Sequence, residues 1–228
     1  MQSMGRSGQD LPFCLRMSTA ASEREFAMTR LDLCVVPAAL PLFNPLLEKG
    51  VVVAARTGCS LRDFLCNQLG LTGRYLDERI QTLFLNARPV DDVDMAIVRD
   101  GATLALSAAM PGLLGATMRK GGRYAAFRRS ISQADDACGA GQASGHVTVK
   151  LFNLVAREIG RHLLAMGVTV AGGDLLRIVD GFPQGLQHLF GATLDGRPAA
   201  IDRTLFLGLA NRPVMLTVRE GAPQQDPA

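Results

Sequence analysis

The sequence predicts an α+β chain made of two tandem units, each a mixed sheet with one packed helix. Two observations predict it. Short apolar runs with strand-like alternation recur in the order strand, strand, helix, strand, strand, first in one half of the chain and then more loosely in the other. The halves also share residue patterns in the same order: LLEKGVVVAA (46–55) with LLAMGVTVAG (163–172), SLRDFL (60–65) with DLLRIV (174–179), and LNARPVDDVD (85–94) with LDGRPAAID (194–202). These matches point to an internal duplication.

In the first half, LDLCVV (31–36), VVVAA (51–55), TLFLN (82–86) and TLALS (103–107) read as strands. Between the second and third, Leu61, Phe64, Leu65 and Leu69 fall at helical spacing. Ser60 is placed to cap that helix, Asp63 puts a carboxylate near its start, and Gly70 can end it. In the second half, HVTVKLF (146–152), GVTVAG (167–172), LFGATLDGRP (189–198) and PVMLTV (213–218) read as strands. GDLLRIVDG (173–181) reads as a short helix with Asp174 at its cap, and LVAREIGRHLLAMG as a further helical stretch. The Asn-x-Arg-Pro and Asp-Gly-Arg-Pro motifs mark the same tight reversal in each unit. Asn and Asp tolerate left-handed backbone angles, and Pro fixes φ just beyond the turn.

The domain organisation expected from these signals is a polar, aperiodic tail over 1–29, a first unit over 30–118, a basic connector with a Gly-rich linker over 119–145, a second and more divergent unit over 146–220, and a tail over 221–228. Ordered-looking sequence begins just after Met28, which makes Met28 a candidate start beside Met1.

Composition narrows the function. Of 228 residues 48% are hydrophobic, enough for a packed core, while aromatics are only 5% and Trp is absent, so that core is aliphatic. A net charge of +3 is too small to suggest a dedicated nucleic-acid binder, and the few aromatics leave little for base stacking. No apolar run approaches a membrane span and no signal-peptide core is visible. The five cysteines have irregular spacings without a C-x-x-C pair, which fits a reducing, cytoplasmic setting and offers no zinc ribbon.

Gly58, Ser60 and Leu61, then Asn86 and Val90, then Asp100, Gly101 and Leu104 follow a pattern over roughly residues 50–112. In these residues the first unit resembles the ubiquitin-like β-grasp sulfur carriers of thiamine and molybdopterin biosynthesis (the ThiS and MoaD family). The resemblance implies the fold. The family's chemistry needs a free C-terminal Gly-Gly, whereas this chain ends GAPQQDPA and carries Gly121 and Gly122 internally. A carrier role therefore implies cleavage after Gly122. Plant-type ferredoxin, the other β-grasp chemistry, needs C-x4-C-x2-C, and Cys59 and Cys66 lack the third cysteine.

Other candidate groups are few. Arg119, Lys120, Arg123, Arg128 and Arg129 form an acid-free basic segment that offers an anion contact or reads as a solvated connector, and the Walker pattern is absent. Cys59 at a helix start is the candidate reactive thiol, set against a small buried cap residue. Cys138 sits in the Gly-rich linker. VDDVD (90–94) with Asp100 lacks calcium-loop spacing, and His146, His162 and His188 show no zinc spacing. No acid–base set or nucleophilic pair can be placed, and no cofactor or metal is expected. The reading is a non-catalytic interaction or adaptor protein with an unidentified protein partner. A carrier cleaved after Gly122 and a small-ligand binder or enzyme using the cleft between units are the alternatives.

Overall fold

The computed structural model describes residues 28–108, 115, 118–120, 122 and 141–221. The strands are β1 (Thr29–Val35), β2 (Val51–Thr57), β3 (Cys59–Ser60), β4 (Thr82–Leu85), β5 (Arg88–Pro89), β6 (Ile97–Val98), β7 (Thr103–Ser107), β8 (Ala143–Phe152), β9 (Val168–Ala171), β10 (Leu189–Leu194), β11 (Arg197–Pro198) and β12 (Pro213–Glu220). The helices are α1 (Asn44–Lys49), α2 (Leu61–Asp63), α3 (Gly73–Glu78), α4 (Asn153–Met166), α5 (Gly172–Gly181) and α6 (Arg203–Leu209), with 3-10 segments at Pro37–Phe43 and Pro183–His188. Mixed α and β content around a large mixed sheet agrees with the α+β expectation.

Ten strands form one continuous sheet in the order β11-β10-β1-β12-β9-β2-β8-β7-β4-β5, and β3 pairs with β6 separately. Strands are exchanged between the sequence halves. β8, from the second half, lies antiparallel to β2 and parallel to β7. β1, from the first half, lies parallel to β12 and antiparallel to β10. The halves meet where Val52 of β2 faces Thr169 of β9.

β1 and β2 are joined by a parallel crossover. Pro37, Pro41 and Pro45 interrupt strand formation, and the apolar Ala39, Phe43, Leu46 and Leu47 among and after them are buried on a helical connection. The equivalent crossover, β8–α4–β9, uses the longer amphipathic α4, which buries Val155, Ala156, Leu163 and Leu164. Gly160 lets α4 approach α1, since a Cβ there would sit 2.5 Å from Leu47 Cδ1.

The two reversals behave as their residues predict. Asn86 and Ala87 take φ of 51° and 63°, Asp195 and Gly196 φ of 50° and 77°. Each turn also grips the start of a neighbouring strand. Thr103 N–H donates to Asn86 Oδ1 at 2.9 Å, and Arg30 N–H donates to Asp195 Oδ1 at 2.8 Å. Asn86 N–H and Asp195 N–H return bonds of 2.8 Å to the carbonyls of Thr103 and Arg30. Because of the exchange, the strand gripped in one half is β7 and in the other β1.

Two helix readings need correction. Ser60 Oγ does accept from Asp63 N–H, and Gly70 does close the segment with a positive φ, but beyond Asp63 the helix widens to π-type bonding over Phe64–Gln68. Asp174 is not the cap of α5. That position belongs to Ala171, and Asp174 lies one turn on, where its buried carboxylate accepts from Lys49 Nζ at 2.6 Å and pairs with Arg177. Lys49 closes α1, so this ion pair joins the two halves.

Strand residues alternate between buried and exposed. Leu31, Leu33, Val35, Val51, Val53, Val147, Val149, Leu151, Val214, Leu216 and Val218 point under the helices into one contiguous core. Among the described residues, no helix packs on the opposite pleats of β1, β2, β8, β9 and β12.

Candidate functional site

The helix-free face runs across the junction of the halves without a break. Arg30 faces Met215, Met215 faces Thr169, Thr169 faces Val52, Val52 faces Thr148, and Thr148 faces Thr103. Small and β-branched side chains make the middle of this row low and flat. They stand on a pleated surface that favours such residues, and they are only partly shielded from solvent.

Charge lies around that middle. Arg30, Arg56 and Arg219 are exposed and Lys150 half-buried on this face, against two acids among the described residues: Asp32, which pairs with Arg30 at 3.5 Å, and Asp100 at one end. Arg56, Lys150 and Arg219 make no side-chain hydrogen bond or ion pair with a described residue. Their alternation with buried neighbours within β2, β8 and β12 fixes the face they occupy.

At one end the face deepens into a cleft lined by Ala54, Arg56, Asn67, Gln68, Asp100 and His146, with Ala55, Ser144 and Gly145 completing it. The cleft lies where the first half is longer than the similar stretch of the second. Residues 56–59 separate Ala55 from Ser60, whereas Gly173 alone separates their counterparts Gly172 and Asp174. β2 therefore runs on to Thr57, while β9 stops at Ala171 and α5 starts at once. The extension is held by Gln68, whose Oε1 accepts from Arg56 N–H at 2.7 Å and whose Nε2 donates to Arg56 O at 2.9 Å. Asp100 Oδ1 accepts from His146 N–H at 2.7 Å, and a Cβ on Gly145 would fall 2.5 Å from that oxygen. Gln68 thus uses its amide on backbone, and the cleft presents the Arg56 and His146 side chains together with the Asp100 carboxylate.

Cys59 lies behind this cleft. It is buried, its thiol donates to Arg56 O at 3.2 Å, and Gln68 Nε2 reaches Sγ at 3.3 Å. Burial first, then the Asp63 carboxylate, pushes its pKa above the ordinary thiol value, opposite to what a reactive thiol needs. Cys59 therefore has the surroundings of the small buried cap residue.

Lys120 is docked rather than offered to solvent. Its N–H donates to Gln81 O at 2.7 Å and its Nζ to Leu76 O at 3.2 Å, with Asp77 3.8 Å away. Burial lowers its pKa. Gly122 N–H donates to Arg119 O at 3.1 Å. Gly121, Arg123, Arg128, Arg129 and Cys138 lie outside the described residues, as do the N-terminal 27 residues and 222–228.

The remaining candidates resolve into local structure. Asp92 Oδ1 accepts from Asp94 and Met95 N–H, and Asp94 pairs with Arg62 at 2.7 Å. His162 Nε2 lies 3.0 Å from Leu69 O. Among the described residues no three His, Cys, Asp or Glu side chains converge as a metal-holding group, and no helix is long and apolar enough to cross a membrane.

Arg56, His146, Lys150 and Arg219 were not singled out as one surface by sequence reasoning. The signal was present: in VVVAART and HVTVKLF the period-two pattern puts Arg56, His146 and Lys150 opposite the valines. Comparison with protein-family models, curated proteins and solved structures gives no match.

Proposed function

We propose that this is a non-catalytic binding protein whose partner, another protein, docks on the helix-free face of the sheet. The observation that carries the proposal is the continuous row from Arg30 to Thr103, a flat surface of small and β-branched residues edged by side chains without internal partners. Flat sheet faces of this kind suit docking better than chemistry, which needs converging polar groups. In the cleft, Gln68 and Asp100 Oδ1 hold backbone groups, which gives both residues a role in supporting the strand ends. On this reading each half of the sheet is a β-grasp-like unit completed by the other half's strand, and the likeness to sulfur carriers is one of fold. A cytoplasmic setting accords with the free thiols Cys34, Cys59 and Cys66.

The test is site-specific photocrosslinking in the native host. A crosslinker at Ala54, exposed on the sheet face, should yield a discrete adduct, and one at Arg74, exposed on the helical side, should not. Absence of an Ala54 adduct, or equal adducts from both positions, overturns the proposal.

The carrier alternative carries an extra requirement. Cleavage after Gly122 leaves β8 between β2 and β7, so a released carrier would also need that strand removed.

A further inference from the structure

We infer that the partner surface recognised by the helix-free face is acidic, presenting Asp or Glu side chains to Arg56, Lys150 and Arg219. This rests on the docking proposal above and adds the chemistry of the partner. The argument is charge segregation. On the helical side the cations are largely paired: Arg62 with Asp77 and Asp94, Arg74 with Glu78, Arg79 with Glu158, Arg177 and Lys49 with Asp174, and Arg203 with Asp180. On the sheet face Arg30 forms an ion pair with Asp32, whereas Arg56 shares its cleft with Asp100 and lies within electrostatic reach of Asp63 without pairing to either. With the Arg30–Asp32 pair neutralised, Arg56, Lys150 and Arg219 stand against one further acid, the exposed Asp100 of the cleft, which leaves the face net positive around its Thr-, Val- and Met-lined centre.

Such a field attracts a surface of opposite sign and rejects basic ones. Nucleic acid is the less favoured polyanion. A single-stranded ligand needs aromatic platforms for its bases; the row from Arg30 to Thr103 has none, and Phe84 and Phe152, aromatics on the same pleat, are half-buried at its margin. A protein partner needs only a shallow apolar contact ringed by carboxylates.

The probe is a polyglutamate peptide titrated into the full chain and followed by backbone amide shifts. We expect shifts confined to β2, β8 and β12. The double variant R56E/K150E should weaken binding by about fivefold or more, as expected for two exposed charge contacts. The neutral pair R56Q/K150Q should give a smaller loss, and the helical-side pair R74E/R157E none. Unchanged amide dispersion in each variant controls for folding. No shifts at millimolar peptide, shifts indifferent to R56E/K150E, or tighter binding of oligothymidylate or of phosphatidylserine vesicles than of polyglutamate overturns the inference. The two proposals fail separately. An Ala54 adduct that survives R56E/K150E keeps the docking face and removes the acidic chemistry, whereas absence of the adduct in the unaltered chain removes the face itself.

Discussion

Cutting the chain between residues 122 and 141 should not release a free first unit. After such a cut the N-terminal fragment keeps β1, which lies between β12 and β10 of the other fragment, and the C-terminal fragment keeps β8, which lies between β2 and β7. Leu31, Leu33 and Val35 on β1 and Val147, Val149 and Leu151 on β8 are all fully or almost fully buried. At about 1.5–3 kcal/mol for each buried aliphatic side chain, these six alone oppose separation by about 9–18 kcal/mol. The ladder adds to that: β8 pairs along Val51–Thr57 and again along Thr103–Ser107. Association costs about 4–15 kcal/mol, and the Lys49–Asp174 pair and the rest of the interface lie on the favourable side. A dissociation constant below about 1 µM is expected, a net of more than about 8 kcal/mol. The assay is a protease site placed within 123–140, cleavage of the folded protein, and size-exclusion chromatography before and after urea. Co-elution until the urea unfolding transition is expected. An N-terminal fragment that elutes alone in native buffer with dispersed amide signals would refute the exchange argument and restore the carrier route.

Further outcomes follow from local geometry. Gly172→Ala should lower stability by about 2–3 kcal/mol or more in thermal unfolding, because its Cβ would fall 1.9 Å from Leu209 O and backbone must move. Ala87→Gly should raise stability by about 0.5–1 kcal/mol by relieving a left-handed alanine, the second turn already having Gly196 there. Iodoacetamide at pH 8 should label the exposed Cys34 well before Cys59, whose thiol is buried and whose pKa is raised; mass spectrometry of the peptides reads the order. The Glu158 carboxylate is held below its ordinary range by Arg79 and then Tyr75, so its contribution is present above the unfolded carboxylate pKa and is lost as pH falls through the folded one. Glu158→Gln should therefore cost about 0.5–1 kcal/mol at neutral pH and flatten the acid limb of a stability–pH curve.

Local order was legible in the sequence where one side chain decides it. Asn86 and Asp195 declared the reversals, Ser60 its helix start, and the valines of β2 and β8 their buried pleat. Pairing between distant strands was not legible. β1 and β2 follow each other in sequence, yet the connection at Pro37–Phe43 and Asn44–Lys49 carries them into different halves of the sheet. Nothing in LDLCVV states that its neighbours are β12 and β10, because an alternating strand satisfies either set equally. The misread cap has a similar cause. An Asp near a helix start serves as a cap or as a charge within the first turn, and the choice fell to Lys49, more than a hundred residues earlier in the chain.

Unequal spacing in the two halves explains why the candidate site lies in one of them. Two equivalent halves exchanging strands would present two equivalent ends of the helix-free face. Residues 56–59 break that equivalence, since they extend β2 beyond the point where β9 must turn into α5. The extension carries Arg56, and its backbone would be unsupported without the paired bonds to Gln68. At the matching place in the second half, Gly172 packs directly on Leu209 and leaves no room for a side chain. The cleft of the first half, with Arg56, Asp100 and His146, therefore has no counterpart built from the same positions.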